Sequence, residues 1–326
     1  MASKESNGKQ AAMSASSFKD HGGSADIPEL TTESITDAVL GQMAQTPDPR
    51  LKEVMDAAVR HLHNFAREVN LTPAEWLLAI EFLTKVGQKC TPDRQEFILL
   101  SDTMGLSALV HFMHDKTAME DATHSSLLGP FFRENAPRYD AGDQIARDVS
   151  AGEVALWGKV TNVSGEPVAG AEIGIWQTAS NGLYDIQYDA DNMDCRGIFT
   201  TDDNGIYLIR TVKPMGYSIP MDGPVGNLVK AQARHGMRPA HIHMLINATG
   251  YRELVTALYV DGDPHLADDT VFGTSGDLVA QITTDHPDCP IPGMPSCQFD
   301  FVLSREGAAD RALGRVGADP AAVARA

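Results

Sequence analysis

Two histidines separated by one residue, His241 and His243, lie in the apolar stretch RPAHIHMLI at residues 238–246. If this stretch is a strand, its side chains alternate between faces, so both imidazoles point the same way. Adjacent buried imidazoles each need a donor and an acceptor partner, and burial resists protonation of either ring. A shared metal ion satisfies both rings. The other interpretation places one histidine at an exposed strand end and the other in a satisfied core position, and this stretch alone does not decide between them.

Two tyrosines lie upstream of the histidine pair in sequences typical of turns. The chain has only seven tyrosines, and Tyr184 follows SNGL while Tyr217 follows KPMG. Loops at the end of a sandwich commonly carry functional side chains. Either tyrosine alone is more often a packing residue than a ligand, so residue type and position do not by themselves assign them to a metal.

The elements that must position these side chains begin with a helical part. Residues 1–28 are rich in Ser, Gly, Ala and Lys and almost lack large apolar side chains, which predicts a disordered tail. Residues 29–120 are predicted to form a helical domain with its linker. There, PRLKEVMDAAVRHLHNFAREV spaces its apolar residues by three and four, and Thr72, Pro73 and Glu75 predict a capping box. Two more helices are predicted in DRQEFILLSD and LSALVHFMHD.

Residues 121–304 change to short alternating runs bounded by Gly, Pro, Asn and Asp, a pattern typical of strands. EVALWGKVTNVSGEPVAGAEIGIWQTA predicts one hairpin, and GIFTTDDNGIYLIRTV predicts another around Asn204 and Gly205. AHIHMLINA, ELVTALYV, DLVAQITT and QFDFVLS bring the total to about seven or eight strands. The predicted fold class is mainly β, an antiparallel β-sandwich preceded by an α-helical domain. Residues 305–326 are a C-terminal tail without an assigned function.

Composition limits the classes of function. The chain has 326 residues, 43% of them hydrophobic, which is enough for a substantial core. A formal net charge of -18 argues against nucleic acid or an anionic membrane as partner. No stretch reaches the roughly 18 apolar residues of a membrane span, and no secretory signal is evident. The four cysteines form no CxxC pair and are expected to be reduced thiols. We therefore expect a soluble, cytoplasmic protein.

The sequence resembles the intradiol ring-cleavage dioxygenases, non-haem iron(III) enzymes that open catechols between the two hydroxyl groups. The resemblance runs from about Thr31 to about Ser304 and rests on LLGPFF at 127–132, NGLYD at 181–185, PMGYSIPMDGPVG at 214–226 and HGMRPAHIH at 235–243. It implies that the strand part is a catalytic iron domain and the helical part a dimerisation domain. It also implies a homodimer whose apolar contact can hold a lipid, in agreement with the apolar face of the predicted helix at 51–69.

The resemblance implies that Tyr184, Tyr217, His241 and His243 are the iron(III) ligands and that Arg238 lies near the substrate. Two tyrosinates and a hydroxide make a resting iron(III) site formally neutral. A catecholate dianion that displaces the hydroxide and one tyrosinate preserves that balance, and the displaced groups can take the two substrate protons. In the family the tyrosine of the GY motif leaves, so Tyr217 is the displaced ligand and base, and Tyr184 stays. Arg238 would stabilise negative charge that develops on the ring.

Three segments, FILLSDTMGLS, YSIPMDGPVG and DGDPHLADDTVFG, most resemble the hydroxyquinol branch of the family. Its members cleave hydroxyquinol (1,2,4-trihydroxybenzene) with O₂ to 3-hydroxy-cis,cis-muconate or maleylacetate in aromatic catabolism. Asp102 could accept a hydrogen bond from the third hydroxyl, which catechol lacks, or it could cap a helix before Met104. Where many relatives place a polar side chain near the iron, this chain has Ala257, which implies a roomier pocket, a water or an altered substrate preference. The pocket residues implied by the resemblance are Leu99, Asp102, Leu128, Gly129, Pro130, Phe131, Ile219, Pro220, Arg238 and Val271.

Three other functions compete with this one. Within the family, the alternative is a catechol or chlorocatechol 1,2-dioxygenase. A cupin-like enzyme also uses a His-x-His strand, but it places a glutamate a few residues later, and none occurs here before Glu253. GKVTNVSGEPVAGAEI also resembles a non-catalytic transthyretin-like binding sandwich, which has no need for two tyrosines and two histidines together. Bound iron would distinguish the dioxygenase from that binding sandwich.

Overall fold

The computed structural model describes residues 29–91, 94–115, 121–189 and 191–307. The predicted N-terminal tail and nearly all of the predicted C-terminal tail lie outside these residues. The chain divides into two compact units, residues 1–78 and 79–326. The domain boundary near residue 120 stays a prediction. The described helices are α1 (Ile35–Gln42), α2 (Pro49–Glu68), α3 (Pro73–Lys89), α4 (Glu96–Thr103), α5 (Leu106–Asp115) and α6 (Pro224–Ala231).

The starts of α2 and α3 follow from local sequence. The Asp48 side chain accepts hydrogen bonds from the backbone of Arg50 and Leu51, with proline at the first helical position. The predicted capping box of α3 is confirmed, since Thr72 N donates to Glu75 Oε2 at 2.9 Å and Glu75 N donates to Thr72 Oγ1 at 3.3 Å. No α2 residue is buried, so its apolar stripe is open to solvent in the single chain.

Two main sheets form the sandwich. The described strands are β1 (Glu153–Asn162), β2 (Glu172–Gln177), β3 (Arg196–Thr200), β4 (Ile206–Val212), β5 (Tyr217–Ser218), β6 (Met237–Arg238), β7 (His241–Asn247), β8 (Leu254–Val260), β9 (Val279–Ala280), β10 (Ser296–Gln298) and β11 (Phe301–Leu303). One main sheet contains β10-β1-β11, with β4 also paired to β1, and the other has the order β3-β2-β7-β8-β9. Their inner faces enclose one hydrophobic core that includes Leu156, Ile173, Ile209 and Met244.

Both hairpin predictions are wrong, although the strands themselves are confirmed. β1 pairs with β4, whereas β2 pairs with β3 and β7. The turn at Asn204 and Gly205 forms locally, with Gly205 N donating to Asp202 O at 2.9 Å and Gly205 at φ 75°. The two strands that it joins belong to opposite sheets. Each turn therefore carries the chain across the core, where a strand can bury its apolar face against the other layer.

Three further features differ from the sequence-based picture or extend it. β1 pairs in parallel with β10 and β11, and β8 with β9, in an otherwise antiparallel fold. Helix α6 was not predicted, although Gly223 and Pro224 mark its start. Among the described helices, none alone is long and apolar enough to cross a membrane, and α4 and α5 meet that test only as a pair bent by 72°.

Candidate active site

Strand β7 positions the two histidines. It runs antiparallel between β2 and β8, which places His243 opposite Trp176 on one side and Ala257 on the other. His241 and His243 are 2% and 1% exposed, so neither lies at an exposed strand end. Their Nε2 atoms face each other at 3.1 Å. The Trp176 ring stacks on His243 at a centroid distance of 4.8 Å and fixes the plane of that imidazole.

The two tyrosines approach the histidines from separate loops. Tyr184 begins a short 3₁₀ turn, its backbone N–H donates to the Gln187 side chain at 2.9 Å, and its fully buried ring stacks on Phe131 at 4.3 Å. Its hydroxyl lies 3.4 Å from His241 Nε2. Tyr217 lies on β5, opposite Arg238 on β6, with its ring 5.4 Å from that of Tyr184. The structure therefore brings all four predicted ligands together.

Protonation states at this cluster suit a bound cation. His241 Nδ1 lies 2.7 Å from the Pro239 carbonyl, so the donated proton leaves the Nε2 lone pair directed at the cluster. Burial lowers the pKa of both histidines, and the neighbouring His241 lowers that of His243 further. Burial and the adjacent Tyr217 raise the pKa of Tyr184. Two neutral imidazoles and two phenol oxygens form a donor set that fits iron(III).

A small cavity lies beside the four side chains. Its lining contains nine of the ten predicted pocket residues, and it also includes Leu127 and Tyr217. Leu128 is absent from the lining and is 37% exposed, and its neighbour Leu127 occupies the wall. Ala257 is fully buried with Tyr259 and Leu278, and it is the cross-strand neighbour of His243. It is absent from the cavity lining, so the structure places it beside that imidazole.

Asp102 is the acidic residue of the cavity wall. It lies in the last turn of α4 and is buried, while its backbone carbonyl accepts from Gly105 N at 3.0 Å where the helix ends. Burial raises the pKa of its carboxyl group, and Ser107 and Arg238 partly oppose that shift. The backbone thus ends the helix, while the side chain is part of the cavity lining.

A second group of possible metal ligands consists of His235, His265 and Asp268. Met237 N donates to His235 Nδ1 at 3.1 Å, so Nε2 carries the proton and donates to Asp268. His265 Nδ1 lies 3.1 Å from the same carboxylate. These hydrogen bonds explain why the three side chains lie close together, and they lower the pKa of Asp268. A metal on His235 Nε2 would move the proton to Nδ1 and break the bond from Met237, so hydrogen bonding explains this trio better than a metal does.

Several residues that organise the site were not identified from the sequence. The buried carboxylate of Asp185 accepts from Arg196 Nε at 2.6 Å and from Arg133 Nη1 at 3.1 Å. Arg196 in turn donates to the Phe131 carbonyl at 3.1 Å, so this network joins the Tyr184 loop to the cavity wall. Arg196 itself could have pointed to this network, because it is the first residue of the buried strand β3. A buried arginine needs a buried acidic partner.

The sandwich, the helices and the four-donor cluster together indicate a ring-cleavage dioxygenase. Residues 127–305 match the family described as Dioxygenase, and residues 48–122 match the family described as Catechol dioxygenase N terminus. The chain belongs to the intradiol ring-cleavage dioxygenase family, as the sequence resemblance indicated. Members of this family use non-haem iron.

Particular relatives include enzymes of the hydroxyquinol branch. The chain is 43% identical to the 6-chlorohydroxyquinol 1,2-dioxygenase of Cupriavidus pinatubonensis, over 85% of this chain and 99% of that protein. It is 41% identical to the hydroxyquinol 1,2-dioxygenase of Rhodococcus opacus, over 84% of this chain and 94% of that protein. The crystal structure of hydroxyquinol 1,2-dioxygenase from Pseudomonas putida DLL-E4 matches with a TM-score of 0.78 at 41% identity, covering 84% of this chain and 99% of that one.

Proposed function

We propose that this protein is a hydroxyquinol 1,2-dioxygenase, which cleaves 1,2,4-trihydroxybenzene between adjacent hydroxyls with O₂. The observation that carries the proposal is the convergence of the four donors beside a cavity that contains Asp102. The relatives named for hydroxyquinol and 6-chlorohydroxyquinol support the same substrate class. Catechol has no third hydroxyl for the buried carboxyl group to bind.

In this proposal Tyr184, Tyr217, His241 and His243 hold iron(III). Iron(III) held there would supply Lewis-acid activation of the substrate ring toward O₂. Tyr217 Oη takes a proton from a substrate hydroxyl. Arg238 Nη1, which lies 3.4 Å from Tyr217 Oη, stabilises negative charge on that oxygen and on the ring. The mostly apolar cavity wall excludes water and strengthens these interactions.

The proposal extends to assembly and location. The solvent-open apolar stripe of α2 supports a homodimer joined through the helical part of the chain, with an apolar contact able to hold a lipid. We place the enzyme in the cytoplasm, with residues 29–120 as its dimerisation domain and residues 121–304 as its catalytic domain.

Catechol 1,2-dioxygenase is the second candidate, since the catechol 1,2-dioxygenase of Candida albicans is 34% identical over 84% of this chain. Two measurements on purified protein test both candidates. Two tyrosinates on iron(III) should give a broad red-brown absorption that shifts when substrate is added without oxygen. Oxygen uptake should give a higher kcat/KM for hydroxyquinol than for catechol. A colourless protein containing stoichiometric zinc contradicts the iron site, whereas a preference for catechol contradicts only the substrate.

A further inference from the structure

Asp269 pairs with Arg238, the charged residue of the cavity wall. Arg238 and Asp269 are both buried, with side-chain exposures of 3% and 2%. Arg238 Nε lies 3.2 Å from Asp269 Oδ1, and Arg238 Nη2 lies 3.4 Å from Oδ2. This is the side-on fork in which a carboxylate holds two edges of a planar guanidinium. The fork leaves Nη1 as the nitrogen that faces Tyr217 Oη, at 3.4 Å.

Four of the five N–H groups of Arg238 are fixed by neighbouring oxygens. Two go to Asp269, one of Nη2 goes to Tyr259 Oη at 3.3 Å, and one of Nη1 goes to Tyr217 Oη at 3.4 Å. The direction of Nη1 is therefore set by what holds the opposite edge of the group. Burial alone would lower the pKa of Arg238, but Tyr217 and Asp269 raise it, so the group stays cationic.

The same carboxylate organises the loop that forms one wall of the cavity. Asp269 Oδ1 accepts from Val271 N at 3.3 Å, and Oδ2 accepts from Gly273 N at 3.0 Å. Val271 lines the cavity. Between them, Phe272 has a left-handed backbone with φ 60°, which is costly for a bulky side chain and persists only where surrounding contacts hold it. All four acceptor positions of Asp269 are thus committed to Arg238 and to this loop.

Gly273 shows how closely the loop approaches the fork. A Cβ atom at Gly273 would lie 2.6 Å from Tyr259 Oη, 3.0 Å from Arg238 Nη2 and 3.2 Å from Asp269 Oδ2. Tyr259 Oη is also 3.0 Å from Ser126 Oγ, which donates to the Gly273 carbonyl at 3.1 Å. The Arg238 guanidinium, the Tyr259 phenol and the loop backbone therefore form one closely packed, hydrogen-bonded unit centred on the Asp269 carboxylate.

We propose that Asp269 is a positioning residue, which acts through Arg238 by fixing the orientation of the guanidinium and aligning it with the cavity wall that carries Val271. This role rests on the proposed function, because Arg238 is the group whose charge stabilises the reacting ring. Asp269 is not among the residues that line the cavity, whereas Arg238 is.

The loop has other anchors, so its fold does not depend on Asp269 alone. Thr270 N donates to Met237 O at 3.2 Å, Thr270 Oγ1 donates to His235 O at 2.9 Å, and Arg234 Nη2 donates to Thr270 O at 2.7 Å. Variants at Asp269 should therefore retain the sandwich. Asp268 provides a matched control, because it is an adjacent, exposed carboxylate that pairs with the exposed His235 and the half-buried His265.

The test combines three variants with a double-mutant cycle on the iron-loaded enzyme. Asp269→Asn should lower kcat/KM for hydroxyquinol by about 10- to 100-fold, less than the roughly 10²- to 10³-fold typical for loss of a charge-stabilising donor. Asp268→Asn should stay close to wild type. Adding Asp269→Asn to Arg238→Ala should produce no further loss, because the residue through which Asp269 acts is already gone. Independent losses that multiply in the double variant would overturn the proposal.

Asp269→Glu separates positioning from charge balance. It keeps the negative charge but moves the carboxylate by one methylene group in a closely packed site. Iron content should match wild type, while kcat stays low. Recovery of kcat in this variant would show that charge balance alone is needed, against the proposal. If Asp269→Asn fails to fold, Asp269→Glu still tests the positioning role, alone and in a double-mutant cycle with Arg238→Ala. A wild-type enzyme that does not consume oxygen with any catechol or hydroxyquinol would contradict the proposed function itself.

Discussion

At the scale of single residues, burial controls the protonation of Tyr184 and of the two histidines, and thereby the kind of cation that fits beside them. Tyr184 is fully buried, and both burial and Tyr217 raise the pKa of its phenol. Burial also keeps His241 and His243 neutral by lowering their pKa values. Neutral imidazoles are ready to coordinate, whereas the buried Tyr184 phenol ionises only with a strong positive charge beside it. The burial of Tyr184 therefore favours a highly charged cation next to its oxygen.

Tyr184→Phe tests this account at the ligand assigned to stay bound. The change removes one oxygen from a ring that stacks on Phe131 and should leave the fold intact. We expect loss of the red-brown absorption and of oxygen uptake, measured by visible spectroscopy and an oxygen electrode. Tyr188→Phe is the control, because that exposed tyrosine donates to Asp194 at 2.8 Å outside the cluster. An unchanged absorption band in Tyr184→Phe would remove this tyrosine from the ligand set.

Asp102→Ala tests the substrate assignment. A buried acceptor left without its partner costs about 1 to 3 kcal/mol, or roughly 5- to 150-fold in specificity. The variant should lower kcat/KM for hydroxyquinol by about that factor and leave catechol nearly unchanged, as measured by oxygen uptake. Asp102→Asn retains a carbonyl acceptor and should keep most of the preference. An equal fall for both substrates would show that Asp102 serves the helix end and that cavity shape sets the preference.

The residues that could be predicted from the sequence are those within short motifs. Each of the four ligands and Arg238 lies in a recognisable segment, so each could be named before the fold was known. Asp185 and Asp269 also lie in such segments, but their roles could not be predicted, because their partners are set by tertiary contacts rather than by spacing. Leu127 and not Leu128 lines the cavity, because neighbouring positions in an irregular loop have no fixed periodicity to show which side chain points inward.

At the scale of elements, the helices and most strands were predictable, while their pairing was not. Capping residues and apolar spacing are local, which is why α2 and α3 begin where the sequence indicates. Strand partners depend on which layer each strand joins. Asn204 and Gly205 form the expected turn, yet the strands on either side belong to different sheets. Parallel pairing of β1 with β10 and β11 brings together segments far apart in the chain, beyond the reach of local pattern.

Asp185→Asn tests the network that joins β3 to the Tyr184 loop. The side chain accepts bonds from Arg196, Arg133 and the backbone of Ile186, so its neutral replacement leaves a buried Arg196 without its counter-charge. Removing one partner of a buried ion pair typically costs about 3–5 kcal/mol. Urea unfolding should show a loss of that size. Asp189→Asn, which affects a half-exposed pair with Arg147, should cost under about 1 kcal/mol.

The same network predicts the direction of an acid effect. Burial alone would raise the pKa of Asp185, but hydrogen bonds from Arg196 outweigh it and lower the pKa below its ordinary value. A carboxylate with a lowered folded-state pKa adds stability above its unfolded pKa of about 3.9 and loses it as pH falls toward the folded value. Wild type should therefore lose stability in acid more steeply than Asp185→Asn does. Parallel unfolding curves for the two proteins below about pH 4 would contradict this assignment.

At the scale of the whole molecule, the exposed apolar stripe of α2 predicts that another protein surface covers it. Leu51, Val54, Leu62, Phe65 and Val69 are between 46% and 65% exposed in the single chain. They recur with helical spacing along one side of the helix, so they form a stripe rather than scattered exposed residues. A second copy of the chain would cover two such stripes at once, as expected for a symmetric dimer.

Light scattering at micromolar concentration should give twice the mass of the 35.1 kDa chain. Leu62→Glu places a charge in the centre of the stripe and should shift the protein toward the monomer mass, because each subunit would bring an unpaired carboxylate into an apolar contact. Arg60→Glu alters a solvent-exposed position on the opposite side of α2, so it should leave the dimer intact. Oxygen uptake and circular dichroism establish whether the Leu62 variant remains folded. A monomeric wild type, or a Leu62→Glu protein that keeps the dimer mass, would contradict assembly through α2.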